Sequence, residues 1–435
     1  MSKEEILKAC FDYYNQRVFP DFIPGQSPVP VSGKILDAED LVQLVDASMD
    51  MWLTEGRFCK EFSKKLSGFF ALKYAKLTVS GSAANLLAFS SLTSQKLGDK
   101  RIQKGDEVIT VAAGFPTTVA PIIQNGCILV FVDVDLKTAN IDVVKIEQAV
   151  SPKTRAIMIA HTLGNPFNLD KVMEYARKHD LYVIEDCCDA LGSRYNGAHV
   201  GTFGDLATLS FYPAHHITTG EGGAILSRHS NISLQVESFR DWGRDCWCDP
   251  GKDNTCRQRF QWQLGDLPFG YDHKYIYSNV GYNMKMTDMQ GAIGISQLKK
   301  APEFIKARKN NFAAYTNAFK GTIVEEHLQL PEATPNSDPS WFGYLLTIRD
   351  NSPLKRPDVL DYLANKKIGT RLLFAGNLTK QPAFKGVNYK IVGGLDNSDK
   401  IMNDSFWIGV WPGIKDAQRQ FVIETVFDMV KEFTA

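Results

Sequence analysis

Through the first 230 residues, short apolar runs alternate with stretches of helical period, and this alternation restricts the fold more than any other feature of the chain. The runs are Lys76–Ser80, Glu107–Val111, Cys127–Val132, Ala156–Ala160, Leu181–Glu185, Ala207–Phe211 and Gly223–Ser227. Each has the length of a strand. Between them lie amphipathic segments such as Asp170–Lys178, in which Val172, Tyr175 and Ala176 share one face. Strands joined by crossover helices make a mainly parallel sheet with helices on both faces, so the expected class is α/β.

At 435 residues the chain is longer than one core usually serves. A large domain is expected over residues 1–310 and a smaller α+β domain over residues 311–435, where Pro331, Pro335, Pro339, Pro353 and Pro357 punctuate the sequence. A helix from about Thr287 to Lys300 precedes that boundary. From Asp241 to Tyr277 the sequence is rich in Trp, Gly, Asp, Pro, Asn and Gln and has no period. Segments this long without regular elements are usually functional or disordered, and this one carries three cysteines, which favours function.

Charge removes several classes of partner. Lys+Arg and Asp+Glu both number 49, so the broad basic field that nucleic acid or an anionic membrane selects is missing. The first residues are charged rather than apolar and no window reaches the length of a membrane span, so a cytoplasmic protein is expected. In that compartment the eight cysteines are not a disulfide framework.

Three places carry candidate chemistry. After the first strand, Ser80-Gly81-Ser82-Ala83-Ala84-Asn85 opens a helix, whose free N–H groups and serine hydroxyl can hold a phosphate; a plain connection is the alternative. Asp186 stands at a strand's carboxyl end, where open α/β sheets bind ligands, and could hold a pyridine nitrogen protonated or simply cap a helix. Cys188, Cys246, Cys248 and Cys256 are separated by 57, one and seven residues. That set suits an iron–sulfur cluster or zinc, with plain burial as the third reading, and spacing alone leaves the three open.

The run Ser210-Phe211-Tyr212-Pro213-Ala214-His215-His216-Ile217-Thr218-Thr219-Gly220-Glu221-Gly222-Gly223 resembles the lysine motif of the DegT/DnrJ/EryC1/StrS sugar-nucleotide aminotransferase and dehydratase family, with His215 where the family has its Schiff-base lysine. Glu55-Gly56-Arg57-Phe58, Gly81-Ser82-Ala83-Ala84, Glu185-Asp186 and Gly281–Gln290 resemble further motifs in the same order. The resemblance implies the pyridoxal-phosphate-dependent transferase fold type I (aspartate aminotransferase-like). It implies that Gly81, Ser82 and Ser210, with Ala83 in the same turn, hold the cofactor phosphate. Asp186 then faces the pyridine nitrogen, Phe115 stacks on the ring, and Asp189 and Tyr212 lie around it. Asn283 is expected to reach the phosphate of a neighbouring subunit, which implies a homodimer, and Phe342 and Arg371 are expected to border the substrate.

Lysine at this position tethers pyridoxal phosphate and shuttles a proton; histidine can do only the second. The expected cofactor is therefore pyridoxamine 5'-phosphate (PMP), held without a covalent bond, and the expected reaction is removal of a hydroxyl rather than transfer of an amine. With the cysteine spacing, the resemblance extends to members of the family that carry one [2Fe-2S] cluster. It then implies deoxygenation at C3 of a CDP-linked 4-keto-6-deoxyglucose in 3,6-dideoxyhexose (O-antigen, lipopolysaccharide) biosynthesis. Electrons would come from a separate NADH-dependent flavin and iron–sulfur reductase. The alternatives are a glutamate-linked 3-dehydratase without a cluster and a non-catalytic zinc-binding relative.

Overall fold

The computed structural model describes residues 1–248 and 251–435. The seven apolar runs are all strands, and they form one eight-stranded sheet with a late addition, Tyr389–Val392. Its order is Tyr74–Thr78, Gly223–Ser227, Leu206–Ser210, Tyr182–Asp186, Thr154–Ala160, Glu107–Val111, Ile128–Val132, Tyr389–Val392. Only Gly223–Ser227 runs against its two neighbours, and the other five pairings are parallel. The parallel strands are buried on both faces, which is why they read as unbroken apolar runs and not as alternating ones.

The two faces pack separate cores. One joins Phe58, Phe62 and Leu66 of the helix Arg57–Phe69 to Leu209, Phe211 and Ala292. The other joins Leu87, Ala88 and Phe89 of the helix Gly81–Ser91 to Ile122, Ile184 and Ile225. A third core lies around the four-stranded antiparallel sheet Leu328–Gln329, Gly343–Ile348, Ser405–Gly409, Thr370–Arg371 and the C-terminal helix Asp416–Thr434.

One helix departs from its expected bounds. It starts where the sequence places it, with Gln290 Oε1 accepting from the Thr287 N–H at 2.9 Å, but it runs on from Asp288 to Phe319, through Pro302. A proline in mid-helix removes one hydrogen bond and usually ends the helix. Here Ala301 and Phe304 on either side of it are buried in the first core, and that packing carries the helix past the break. Residue 310 therefore falls inside a helix whose second half, Phe312, Tyr315 and Phe319, belongs to the third core. Among the described residues, the only helical element of the segment 241–277 is one short 3-10 turn, His273–Tyr275, as its composition suggests. No helix among the described residues is long and apolar enough to cross a membrane.

Phe62 is fully buried, and its ring lies 5.3 Å from that of Phe211, the residue that opens the histidine loop. Gly294 of the long helix approaches it so closely that an added Cβ would lie 2.5 Å from the ring. Phe62→Ala should therefore destabilise the protein by about 3–5 kcal/mol. A thermal melt within error of the parent would show that this junction does not bear on stability.

Candidate active site

The strand Tyr182–Asp186 ends in two adjacent carboxylates that point to opposite sides. Glu185 is fully buried and accepts from the N–H groups of Gly201, Phe203 and Gly204 at 2.7, 2.9 and 2.7 Å. The His161 imidazole, stacked on Phe167, reaches Glu185 Oε2 at 3.0 Å, while its Nδ1 accepts from the Phe167 N–H. That contact makes Nε2 the donor, so His161, Glu185 and neighbouring Cys187 form a satisfied structural network rather than an open ligand set. Burial alone would neutralise Glu185, but His161 and the three amides hold its carboxyl below the ordinary range.

Asp186 turns the other way, into a cavity of about 630 Å3. Asn85 Nδ2 and Thr118 Oγ1 donate to its Oδ2 at 2.8 and 2.7 Å, and the Cys188 N–H donates to Oδ1 at 3.1 Å. Asn85 is itself fixed by Thr208 Oγ1, which donates to Asn85 Oδ1 at 2.7 Å. One carboxylate thus ties together the starts of two helices, Gly81–Ser91 and Pro116–Gln124, and two strands.

Of the residues singled out in the sequence, Gly81, Ser82, Phe115, Asp186, Cys188, Asp189, Ser210, Tyr212, His215, Phe342 and Arg371 all line this one cavity. Ser80 caps the helix by accepting from the Ala83 N–H at 3.0 Å, so the N–H groups at the helix start are presented toward Ser210. Gly81 is required there: an added Cβ would lie 2.5 Å from Ser210 Cβ and 3.1 Å from Cys188 Sγ. Ala83 itself is buried and does not line the cavity, contributing its N–H to the cap instead.

The turn from Phe211 to Gly222 carries His215. The Phe211 N–H donates to Gly222 O at 2.8 Å, the Thr219 N–H to Phe211 O at 2.9 Å, and the His215 N–H to Tyr212 O at 2.9 Å. Adjacent histidines in so tight a loop face different ways. His215 lines the cavity, its Nδ1 lying 3.3 Å from Asp189 Oδ1 within ion-pair reach and its ring 5.2 Å from that of Phe342. His216 turns inward and meets Ser340 Oγ at 2.9 Å, and burial pushes its imidazole far below the ordinary range, so it is neutral. Burial also pushes the Asp189 carboxyl up, against the pull of His215 and the Arg308 guanidinium. No lysine lines the cavity among the described residues.

The positions of Asn283 and of the four cysteines bear on two further expectations. Asn283 is exposed and bridges to Asp241 outside the cavity of its own chain. Of the four cysteines, Cys246, Cys248 and Cys256 gather with their sulfurs within 4.8 Å of one another, but Cys188 does not join them. It is held in the cavity wall by the strand end that carries Asp186, whereas Cys246 and Cys248 line a second cavity that Lys76 and Leu77 also line. Cys256 Sγ instead lies 3.5 Å from Nδ1 of the buried His273, whose Nε2 faces Asp245 Oδ2 at 3.3 Å and whose ring is stacked by Trp262. Burial works against ionising Cys248, yet hydrogen bonds from Thr255, the Cys256 amide and the neighbouring thiols bring it down to about 7. Cys246 is pushed by burial to about 12.

The sequence reading misses Asn85, Thr118, Arg308, Phe374 and Trp407. Asn85 alone carried a signal, being a polar residue inside the otherwise small and apolar start of a helix.

The profile of the DegT/DnrJ/EryC1/StrS aminotransferase family matches residues 34–427. The chain is 54% identical over 422 residues to the lipopolysaccharide biosynthesis protein RfbH of Salmonella typhimurium (strain LT2), covering 97% of this chain and 96% of that one. It is 50% identical over 429 residues to the dTDP-4-dehydro-2,6-dideoxy-D-glucose 3-dehydratase of Saccharopolyspora spinosa, covering 99% and 92%. Among solved structures, an E. coli GDP-4-keto-6-deoxy-D-mannose-3-dehydratase with bound hydrated PLP superposes with a TM-score of 0.81 at 28% identity, covering 93% of this chain and 99% of that one.

The contact at Gly81 gives a direct test. Gly81→Ala forces a methyl group between the helix start and Ser210, an overpacking that costs about 1–3 kcal/mol. Affinity for pyridoxal phosphate, followed by fluorescence titration, should fall accordingly, and an unchanged affinity would move the phosphate site elsewhere.

Proposed function

The chain belongs to the DegT/DnrJ/EryC1/StrS aminotransferase family and has its pyridoxal-phosphate-dependent transferase fold, and from that premise we propose that it is a pyridoxamine-phosphate-dependent sugar-nucleotide 3-dehydratase of deoxysugar biosynthesis. One observation carries the reading: His215 lines the cavity at the position suited to proton transfer, and among the described residues no lysine lines it to tether an aldehyde. When bound, the cofactor supplies an electron sink that lets a neighbouring C–H bond break and an adjacent C–O bond expel its oxygen.

The residues divide that work. The N–H groups at Gly81 and Ser82, with the hydroxyls of Ser82 and Ser210, suit a phosphate dianion at a helix start. Asp186, fixed by three donors, faces the position of a ring nitrogen, and Phe115 supplies an aromatic face. His215 removes the proton at the carbon joined to the cofactor amine and can return it to the departing C3 hydroxyl. Asp189 Oδ1, 3.3 Å from Nδ1, lies within ion-pair reach and steadies the positive charge the imidazole gains when it takes the proton. Phe342 and Arg371 border the space left for the sugar.

The finer substrate is proposed as CDP-linked 4-keto-6-deoxyglucose. Its support is the relationship to a lipopolysaccharide biosynthesis protein; other relatives are sugar 3-dehydratases that act on dTDP- and GDP-linked sugars, which supports the reaction at C3 and not the choice of nucleotide. Loss of water leaves an unsaturated sugar that needs two electrons and two protons to become the deoxy product. We assign the electron entry to a [2Fe-2S] cluster on Cys246, Cys248 and Cys256, with Cys188 as the fourth thiolate. The proposed donor is an NADH-dependent flavin and iron–sulfur reductase. Asn283, exposed and outside its own cavity, is proposed to serve a second copy in a homodimer. A zinc site of three thiolates and His273 has its own support in the 3.5 Å contact between Cys256 and that ring.

Two measurements test these readings. His215→Lys should trap pyridoxal phosphate covalently, with a new visible absorbance band, and should lose dehydration; a variant with neither change removes His215 from the site. Metal analysis of anaerobically purified protein should give iron with an equal amount of acid-labile sulfide, lost in both Cys248→Ala and Cys188→Ala. Zinc retained in Cys188→Ala and lost in His273→Ala would replace the cluster with the three-cysteine, one-histidine site.

A further inference from the structure

Arg308 is the largest fully buried side chain among the described residues and a charged group that the mechanism above does not use. It projects from the long helix to the back of the cavity wall. Its Nη1 lies 3.4 Å from the carbonyl oxygens of both Trp341 and Phe342, and its Nη2 lies 3.5 and 3.3 Å from those of Ala214 and His215. Nε has no partner, and no carboxylate lies within 4.0 Å of the guanidinium among the described residues. Its flat face rests 5.5 Å from the Phe342 ring. Burial brings it down to about 9, and Asp189 is the one opposing charge.

A buried cation without an ion pair is costly, and a residue needed only to fill space here would be apolar. The four carbonyls explain the choice. They belong to two segments more than a hundred residues apart, the loop that carries His215 and the segment that carries Phe342. A planar fork with several donors in fixed directions can bind both at once, and an ammonium on a single stem cannot. Trp341 holds a positive φ of 43° between the two anchored carbonyls and the Phe342 N–H, which donates to Leu163 O at 2.7 Å.

We propose that Arg308 is a positioning residue for the proposed dehydration, a bracket that fixes His215 and Phe342 relative to each other. This rests on His215 being the proton-transfer group. His215 shares the cavity lining with Asp186, Cys188 and Asp189 from the strand end, with Tyr212 and Glu221 from its own loop, and with Arg371. His216 ties the same loop to Ser340, the residue before Trp341; Arg308 adds contacts to four carbonyls of the two segments.

The bracket is tested in Arg308→Lys, which keeps the charge and loses the fork, and in Arg308→Gln, which loses both. One readout is hydrogen–deuterium exchange at the methylene carbon of bound pyridoxamine phosphate, followed by NMR. The other needs no cofactor: the rate of His215 acylation by diethyl pyrocarbonate at a single pH, located by peptide mass spectrometry. In both variants exchange should slow by at least about tenfold at unchanged cofactor affinity, as expected for a displaced base, and the rate of His215 acylation should change as the ring leaves its place. Exchange in folded Arg308→Lys within twofold of the parent, or an unchanged acylation rate, overturns the proposal. Absence of exchange in the parent protein itself removes the role of His215 and this inference together, whereas exchange in the parent with unaffected variants removes this inference alone.

Discussion

Two neighbouring carboxylates buried at the end of one strand are the constraint on which the rest of the site depends. Consecutive side chains of a strand point to opposite faces, so Glu185 and Asp186 each need a full set of donors in a different layer. Glu185 takes its donors from the 201–204 turn and His161, and Asp186 takes its own from two helix starts. An unsatisfied buried carboxylate costs several kcal/mol. Each of those surrounding segments is therefore held where the carboxylates require it, and the cavity is the space left between them.

Within that frame the chemistry turns on which way two consecutive imidazoles face. The loop hydrogen bonds from Phe211 to Gly222 point His215 into the cavity and His216 into the protein. The inner ring is anchored to Ser340, next to the segment that presents Phe342, and the outer one sits between Asp189 and Phe342. A base placed this way can move a proton but cannot tether an aldehyde, which is the basis for proposing loss of a hydroxyl instead of gain of an amine.

Much of this was legible in the sequence because it depends on local pattern. The seven strands show as apolar runs since parallel strands are buried on both faces, and the cavity residues lie at strand ends and helix starts, where such sheets always offer ligands a place. What was not legible depends on distance through space. The helix break expected before Pro302 is overruled by packing around Ala301 and Phe304, which no local rule contains. Asn85 and Thr118 reveal themselves only through the carboxylate they hold, and Arg308 only through carbonyls of segments remote in sequence. The cysteine spacing points to a thiolate set, yet the separation of Cys188 from the other three and the place of His273 beside Cys256 are matters of folding alone.

The helix Asp288–Phe319 has a mechanical meaning. At 32 residues it is a rod of about 48 Å, seated by one end in the first core and by the other in the third. Loss of packing at either end takes support from the other, so the helix couples the two cores mechanically, with Pro302 as its one interior gap in backbone hydrogen bonding.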